Sequence, residues 1–173
     1  NHLGLCGRQK TEFECYNGLM CSGIYRRDKR YDATTSYLAG TRDGTRAIDD
    51  ASTQIELYNA DLDCEPAEVG IHTLDALEPD FRSPAHMIAR VRETTAQILA
   101  DGKFPLMLGG EHSITPGAVA ACLERYPDLG VLHLDAHADL RDEYHGTPQS
   151  HACACLLYTS PSPRDRTRTR MPS

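Results

Sequence analysis

The stretch FPLMLGGEHS, residues 104–113, decides the fold class of this chain. Its first half, Phe104 to Leu108, is a short apolar run with a glycine near each end, and this pattern predicts a buried strand. Glu111 and His112 follow that strand directly. Because α/β sheets bind their ligands at the carboxyl ends of strands, the same stretch also predicts a candidate site.

The segments around this strand predict further elements. Residues 83–102 begin with Ser-Pro, an N-cap and a first helical position, and the apolar spacing that follows predicts a helix ending at a glycine. Residues 115–126 and 46–54 predict two more helices, and the apolar run 129–134 predicts the next strand. The order helix, strand, helix, strand implies an α/β fold with a parallel sheet and right-handed crossovers.

A second polar motif, DAHAD at residues 135–139, follows the second predicted strand. Side chains two residues apart on a strand lie about 6.6 Å apart, whereas paired catalytic metals lie about 3.5–4 Å apart. The backbone must therefore curl after Asp135 if His137 and Asp139 are to converge with His112. Such oxygen-rich ligation with two imidazoles fits Mn²⁺ better than a thiolate zinc site, with Fe²⁺, Co²⁺, Ni²⁺ and Zn²⁺ left open.

Composition restricts the class of protein. The chain has 173 residues, 40% of them hydrophobic, and a net charge of −7, which suits one globular domain and argues against a nucleic-acid surface. It shows no transmembrane run and no secretory signal, so we expect a cytoplasmic protein. Seven cysteines without a Cys-x-x-Cys pair are best interpreted as free thiols.

The two ends differ from the middle. Residues 1–30 lack a convincing period, and we expect an irregular segment without the opening strand. Residues 156–173 include a basic, Ser/Pro/Arg/Thr-rich stretch, which predicts a disordered tail that does not belong to the domain. The folded domain is therefore predicted over residues 31–155.

Residues 102–115, 133–144 and 146–153, together with the loops at 31–37 and 40–44, resemble the agmatinase branch of the arginase (ureohydrolase) family. The resemblance covers residues 31–153. It implies a three-layer α/β/α fold with a mainly parallel sheet, truncated here. It also implies trimers or hexamers and a role in polyamine biosynthesis.

The resemblance further implies hydrolysis of agmatine to putrescine and urea by a metal-bridged hydroxide at a binuclear manganese centre. His112 would bind one Mn²⁺ and His137 the other, with Asp135 bridging them. Asp139 would bind beside His112 and accept a hydrogen bond from the hydroxide. His151 matches the family's proton-shuttling histidine.

The departures from the family concern substrate and completeness. Arg141 stands where arginases carry an asparagine, which disfavours arginine and leaves guanidinobutyrate and other guanidino compounds open. Nothing after Cys155 matches the family's Asp-x-Asp motif or its guanidinium-binding glutamate. Two divalent cations take about ten to twelve ligand bonds, so we expect a fragment that binds metal weakly and has little or no activity alone.

Two rival functions remain. One is a non-catalytic, truncated chain that pairs an open sheet edge with a full-length subunit. The other, a metal-dependent deacetylase, is disfavoured by the ureohydrolase spacing of residues 135–139. On the leading hypothesis the partners are a small cationic guanidino substrate and further copies of the chain, with no nucleic acid and no membrane.

Overall fold

A computed structural model describes residues 24–29 and 31–159. The described residues fall into two compact units. The first unit contains residues 24–29, 31, 40–79 and 96–110, and the second contains residues 32–39, 80–95 and 111–159.

The first unit is built on a parallel three-stranded sheet. Its strands are β1 (Ile24–Lys29), β2 (Ile71–Leu77) and β3 (Phe104–Gly109), and their spatial order is β2-β1-β3. Ile24 pairs with Ile71 on one side and Phe104 on the other, and the register to β2 shifts between Arg27 and Lys29. The predicted parallel sheet and the strand at 104–108 are therefore confirmed.

The central position of β1 corrects one expectation. The prediction that residues 1–30 are irregular and contain no opening strand is wrong for Ile24–Lys29. This segment is a strand that pairs along both of its edges. The polar run there hid the strand, because ladder hydrogen bonds are made by the backbone and do not require an apolar side-chain pattern. The remaining residues of that segment lie outside the described part of the chain.

The chain forms four α-helices within its described residues: α1 (Gly44–Ser52), α2 (Pro84–Ala100), α3 (Thr115–Arg125) and α4 (Ala154–Thr159). The first three confirm the predicted helices to within two residues. At the end of α2, the Lys103 N–H donates to the Ile98 carbonyl and the Gly102 N–H donates to the Leu99 carbonyl, both at 3.1 Å. Gly102 has a φ of 68°, so the helix ends in a Schellman motif that favours glycine.

The core of the second unit lies between its helices. Met87 and Val91 of α2 are fully buried. A Cβ at Gly117 of α3 would overlap the backbone carbonyl of Ile88, so the two helices approach at a position that only glycine fits. Ile114, immediately before α3, is 1% exposed.

The predicted strand at residues 129–134 is wrong. These residues belong to no ladder of the described structure, and Leu132 and Leu134 are 84% and 87% exposed. An apolar run becomes a strand only where a neighbouring strand supplies hydrogen-bond partners. The expectation that the strand at 104–108 is buried also fails in part, because Phe104 is 64% exposed.

The predicted disordered tail begins too early. Residues 156–159 belong to α4, because an apolar Leu-Leu-Tyr run continues the turn that starts at Ala154. The rest of that tail lies outside the described residues. Within the described ranges, no helix combines the length and apolar character needed to cross a bilayer.

Candidate active site

His112 lies just before helix α3 of the second unit. It lies in a 3₁₀ turn, His112–Ile114, which leads directly into α3. Its Nδ1 atom is 2.6 Å from Oδ2 of Asp139 and 3.9 Å from Oδ2 of Asp135. The structure therefore brings together three of the four predicted metal ligands.

Asp139 reaches His112 because the backbone curls as predicted. Its φ of 49° is in the left-handed region, where a non-glycine residue needs outside support. That support comes from α4, because the N–H groups of Cys155 and Leu156 donate to the Asp139 carbonyl at 3.1 and 3.4 Å. The side chain of Asp139 is 10% exposed.

His137 is placed differently from the other predicted ligands. Its side chain is 81% exposed, and its Nδ1 is 3.5 Å from Oδ1 of Asp135. Its backbone N–H donates to the same Oδ1 at 2.9 Å. That bond holds the pKa of the Asp135 carboxyl below its usual range, and the nearby imidazoles of His133 and His112 add to the effect.

His133 joins the cluster and was missed by the sequence reasoning. Its ring stacks on His112 with centroids 5.0 Å apart and planes 16° apart, and its Nε2 is 3.4 Å from Oδ2 of Asp135. That contact lacks hydrogen-bond geometry, so the solvent-shielded Nε2 has no hydrogen-bond partner. Its position two residues before Asp135, on the same side of an extended backbone, is the signal that could have found it.

The donor set fits a divalent cation. His112, His133, Asp135 and Asp139 each offer a ligand atom, and these atoms lie within 4.8 Å of one another. An unpartnered, buried imidazole nitrogen facing a carboxylate is a group that a cation would satisfy. Two carboxylates and two imidazoles are ligands suited to Mn²⁺ and similar ions.

A thiolate site at the same place is less favourable. Cys155 groups with His112 and His133 by distance, and its Sγ is 3.4 Å from Nδ1 of His133. Burial raises the pKa of the Cys155 thiol, however, which disfavours the thiolate that a metal requires. Cys64, Cys122, Cys153 and Cys155 are free thiols as predicted, and the other three cysteines lie outside the described residues.

His151 lies in a separate cluster with Thr34 and Glu111. Its Nδ1 is 3.3 Å from the hydroxyls of Thr34 and Ser150, and its ring meets Tyr144 edge-on with centroids 5.6 Å apart. The backbone N–H of His151 donates to the Thr34 hydroxyl at 3.1 Å. Thr34, in the loop at 32–36, therefore contacts both the ring and the backbone of this histidine.

Arg141 and Tyr144 contact each other in the segment that precedes His151. The guanidinium of Arg141 lies 5.1 Å from the centroid of the Tyr144 ring, a cation–π distance. Asp142 and Glu143 are exposed, as is typical of solvated surface charges.

Comparisons with known proteins give related sequences and structures. The Arginase family model matches residues 30–161. The chain is 36% identical over 121 residues to the agmatinase of Bacillus subtilis, covering 70% of this chain and 42% of that protein. It is 38% identical over 129 residues to the N(1)-aminopropylagmatine ureohydrolase of Synechocystis, covering 71% and 42%.

The fold is also shared with solved structures. The agmatine ureohydrolase of Thermoplasma volcanium superposes with a TM-score of 0.70 at 31% identity, over 79% of this chain and 44% of that one. This confirms the predicted arginase-like α/β fold class. The chain spans less than half the length of these three relatives.

Proposed function

Because this chain belongs to the arginase family, we propose that it acts in the hydrolysis of a small guanidino substrate, with agmatine as the substrate and putrescine and urea as the products. The observation that carries the proposal is the convergence of His112, Asp135 and Asp139 around a buried imidazole nitrogen of His133. The names of the matched relatives, agmatinase and N(1)-aminopropylagmatine ureohydrolase, support the guanidino chemistry.

We propose that His112, Asp135, His137 and Asp139 hold two Mn²⁺ ions, with His133 as a further donor. Oδ2 of Asp135 faces His112 and His133, whereas its Oδ1 faces His137. A carboxylate with one oxygen on each side is suited to bridging. His112 and Asp139 would then serve one ion, and His137, after a rotation of its exposed side chain, would serve the other.

The metal and the protein contribute different chemistry. When bound, divalent cations lower the pKa of water towards neutrality and neutralise developing negative charge. Asp139, whose carbonyl accepts two N–H groups of α4, would accept a hydrogen bond from the attacking oxygen. His151 would protonate the leaving amine, a step typically worth about 10²–10⁴-fold in rate.

The closing experiment measures urea release from guanidine-labelled agmatine at saturating Mn²⁺. These side chains fill only part of two Mn²⁺ coordination shells, so we expect slow turnover that requires Mn²⁺ and exceeds that of Asp135→Asn. Glu143→Gln, at an exposed carboxylate outside the cluster, is the matched control and should retain the rate. Equal urea release from the parent chain and Asp135→Asn would contradict the proposal.

A second candidate function is favoured by the exposed run before the second motif. Leu132 and Leu134 are 84% and 87% exposed, and an unpaired apolar segment can add to the sheet of another subunit. This chain would then be a non-catalytic partner of a full-length family member. A stable complex with such a homologue by size analysis, without urea release by this chain, would favour this candidate over the first.

Other family properties are proposed on the same ground. We propose a homo-oligomer, a trimer or hexamer, and a cytoplasmic role in polyamine biosynthesis. Arg141 continues to disfavour arginine, and guanidinobutyrate remains the alternative substrate.

A further inference from the structure

A buried carboxylate outside the metal cluster is joined to His151 by one hydroxyl. Glu111 is 9% exposed and accepts the backbone N–H of Thr34 at 2.9 and 3.2 Å through its two carboxylate oxygens. The Thr34 hydroxyl lies 2.6 Å from Oε2 of Glu111. The same hydroxyl is 3.3 Å from Nδ1 of His151.

The protons in this chain of contacts can be assigned. A threonine hydroxyl carries one hydrogen, and a carboxylate can only accept. At 2.6 Å from Glu111, the hydroxyl hydrogen points at the carboxylate, because a charge-assisted hydrogen bond is the strongest available. The Thr34 oxygen must therefore accept from both the backbone N–H and Nδ1 of His151.

We propose that Glu111, acting through Thr34, is a positioning residue that fixes His151 as the Nδ1–H tautomer. Ser150 is compatible with this assignment, since its hydroxyl oxygen at 3.3 Å can also accept from Nδ1. The lone pair of the neutral ring then lies on Nε2, which becomes the atom that exchanges protons.

The proton balance follows from this assignment and rests on the proposed function. Nε2 takes a proton from a solvent water molecule, which leaves hydroxide to the bulk solvent, and the ring becomes an imidazolium. As the carbon–nitrogen bond to the leaving amine breaks, that proton passes from Nε2 to the amine nitrogen. The ring returns to the neutral Nδ1–H tautomer, and the hydrogen bond to Thr34 is kept throughout.

The experiment reads the tautomer of His151 directly by long-range ¹H–¹⁵N NMR of the ¹⁵N-labelled full chain, at a pH where the ring is neutral. The His151 signals are assigned by their loss in His151→Gln. We expect the protonated nitrogen to be Nδ1. Observation of the Nε2–H tautomer, the form favoured by free histidine, would overturn the proposal.

Three variants separate positioning from mere folding. Thr34→Ser keeps the hydroxyl and should retain the Nδ1–H tautomer, whereas Thr34→Val should lose it. Glu111→Gln should also lose it, because the amide can donate to Thr34 and release the hydroxyl hydrogen towards Nδ1. His86, whose Nδ1 contacts Ser83 at 2.7 Å, is the internal control, and its signals should not change.

The outcomes are distinguishable from those of the urea assay. The tautomer is measured without metal or substrate, so an Nδ1–H ring in a chain that releases no urea would count against the proposed function alone. Urea release by a chain whose His151 is Nε2–H, or tautomers unaffected by Thr34→Val and Glu111→Gln, would count against the positioning role alone.

Discussion

The two motif segments each follow an apolar run, but their structures differ. The first, GGEHS, follows a strand paired along its length, and Glu111 and Ser113 are buried. The second, DAHAD, follows an unpaired run whose Leu132 and Leu134 are exposed, and His137 is 81% exposed. The comparison teaches that a ligand is fixed by what anchors its backbone and not by the apolar run before it.

Asp139 makes the same point within the second segment. It lies only two residues beyond His137, yet two N–H groups from residues 155 and 156 hold its carbonyl and its side chain reaches His112. His137 receives no comparable support from the hydrogen bonds described here.

The largest expected effect comes from truncating the buried apolar side chain next to the first motif. Ile114→Ala removes a side chain that is 1% exposed, so we expect a loss of about 2–5 kcal/mol in the free energy of unfolding. Leu132→Ala, at 84% exposure, should change it by less than about 0.5 kcal/mol. Urea denaturation monitored by circular dichroism measures both.

If Ile114→Ala abolishes folding, Ile114→Val provides the graded version, with an expected loss of about 0.5–1.5 kcal/mol. A Leu132→Ala variant as destabilised as its Ile114 counterpart would show that the second run is buried in solution.

We expect substitution of the two predicted histidine ligands, His112 and His137, to lower Mn²⁺ affinity to different extents. His112→Ala removes the partner of Asp139 and should weaken the tightest Mn²⁺ binding by more than about tenfold, comparable to or above the usual effect of second-shell changes. His137→Ala should leave that first affinity within a few fold, because the ring is exposed and outside the four-residue grouping.

Isothermal titration with Mn²⁺ checks this order, and His72→Ala, at an exposed position on β2, is a control outside the cluster. If His137→Ala lowered the Mn²⁺ affinity more than His112→Ala did, the prediction would be wrong and the exposed histidine would be the primary ligand.

Two glycines near the motifs give a smaller test. In Gly117→Ala the new Cβ would overlap the Ile88 carbonyl, an overpacking cost of about 1–3 kcal/mol that the better helix propensity of alanine offsets by about 1 kcal/mol. Gly130→Ala, with open space around its Cβ, should be neutral or slightly stabilising. Thermal unfolding compares them, and equal melting temperatures would contradict the close helix contact.

The smallest expected effect is the change in folding stability with pH that comes from the Asp80–Arg82 ion pair. Arg82 donates three hydrogen bonds to the Asp80 carboxylate from its side chain, and these bonds hold the pKa of Asp80 well below its usual range. A lowered folded-state pKa stabilises the fold above the unfolded pKa of about 3.9, and this contribution is lost as pH falls through the folded value.

Asp80→Asn should therefore be less stable than the parent at neutral pH, with the difference shrinking below about pH 4. Chemical denaturation at several pH values measures it, with Asp142→Asn, at an exposed carboxylate, as the control. If the stability difference between Asp80→Asn and the parent does not change with pH, the ion pair does not contribute to it.

Much of the fold could be predicted because its signals are local. The Ser-Pro start and Gly102 end of α2, and the apolar run of β3, each specify backbone conformation over a few residues. The strand β1 could not be predicted in this way, because its identity depends on neighbours more than 40 residues away along the chain. The run at 129–134 has the local pattern of a strand, but no strand of the described residues pairs with it.

The sequence by itself determined the family, the parallel α/β class and the candidate ligands His112, Asp135, His137 and Asp139, because these depend on residue type and spacing. Only the tertiary structure decided that His137 is exposed, that His133 enters the cluster, and that Thr34 links Glu111 to His151. Contacts between residues up to 117 positions apart depend on how the backbone is anchored in space, and residue spacing along a chain does not encode that anchoring.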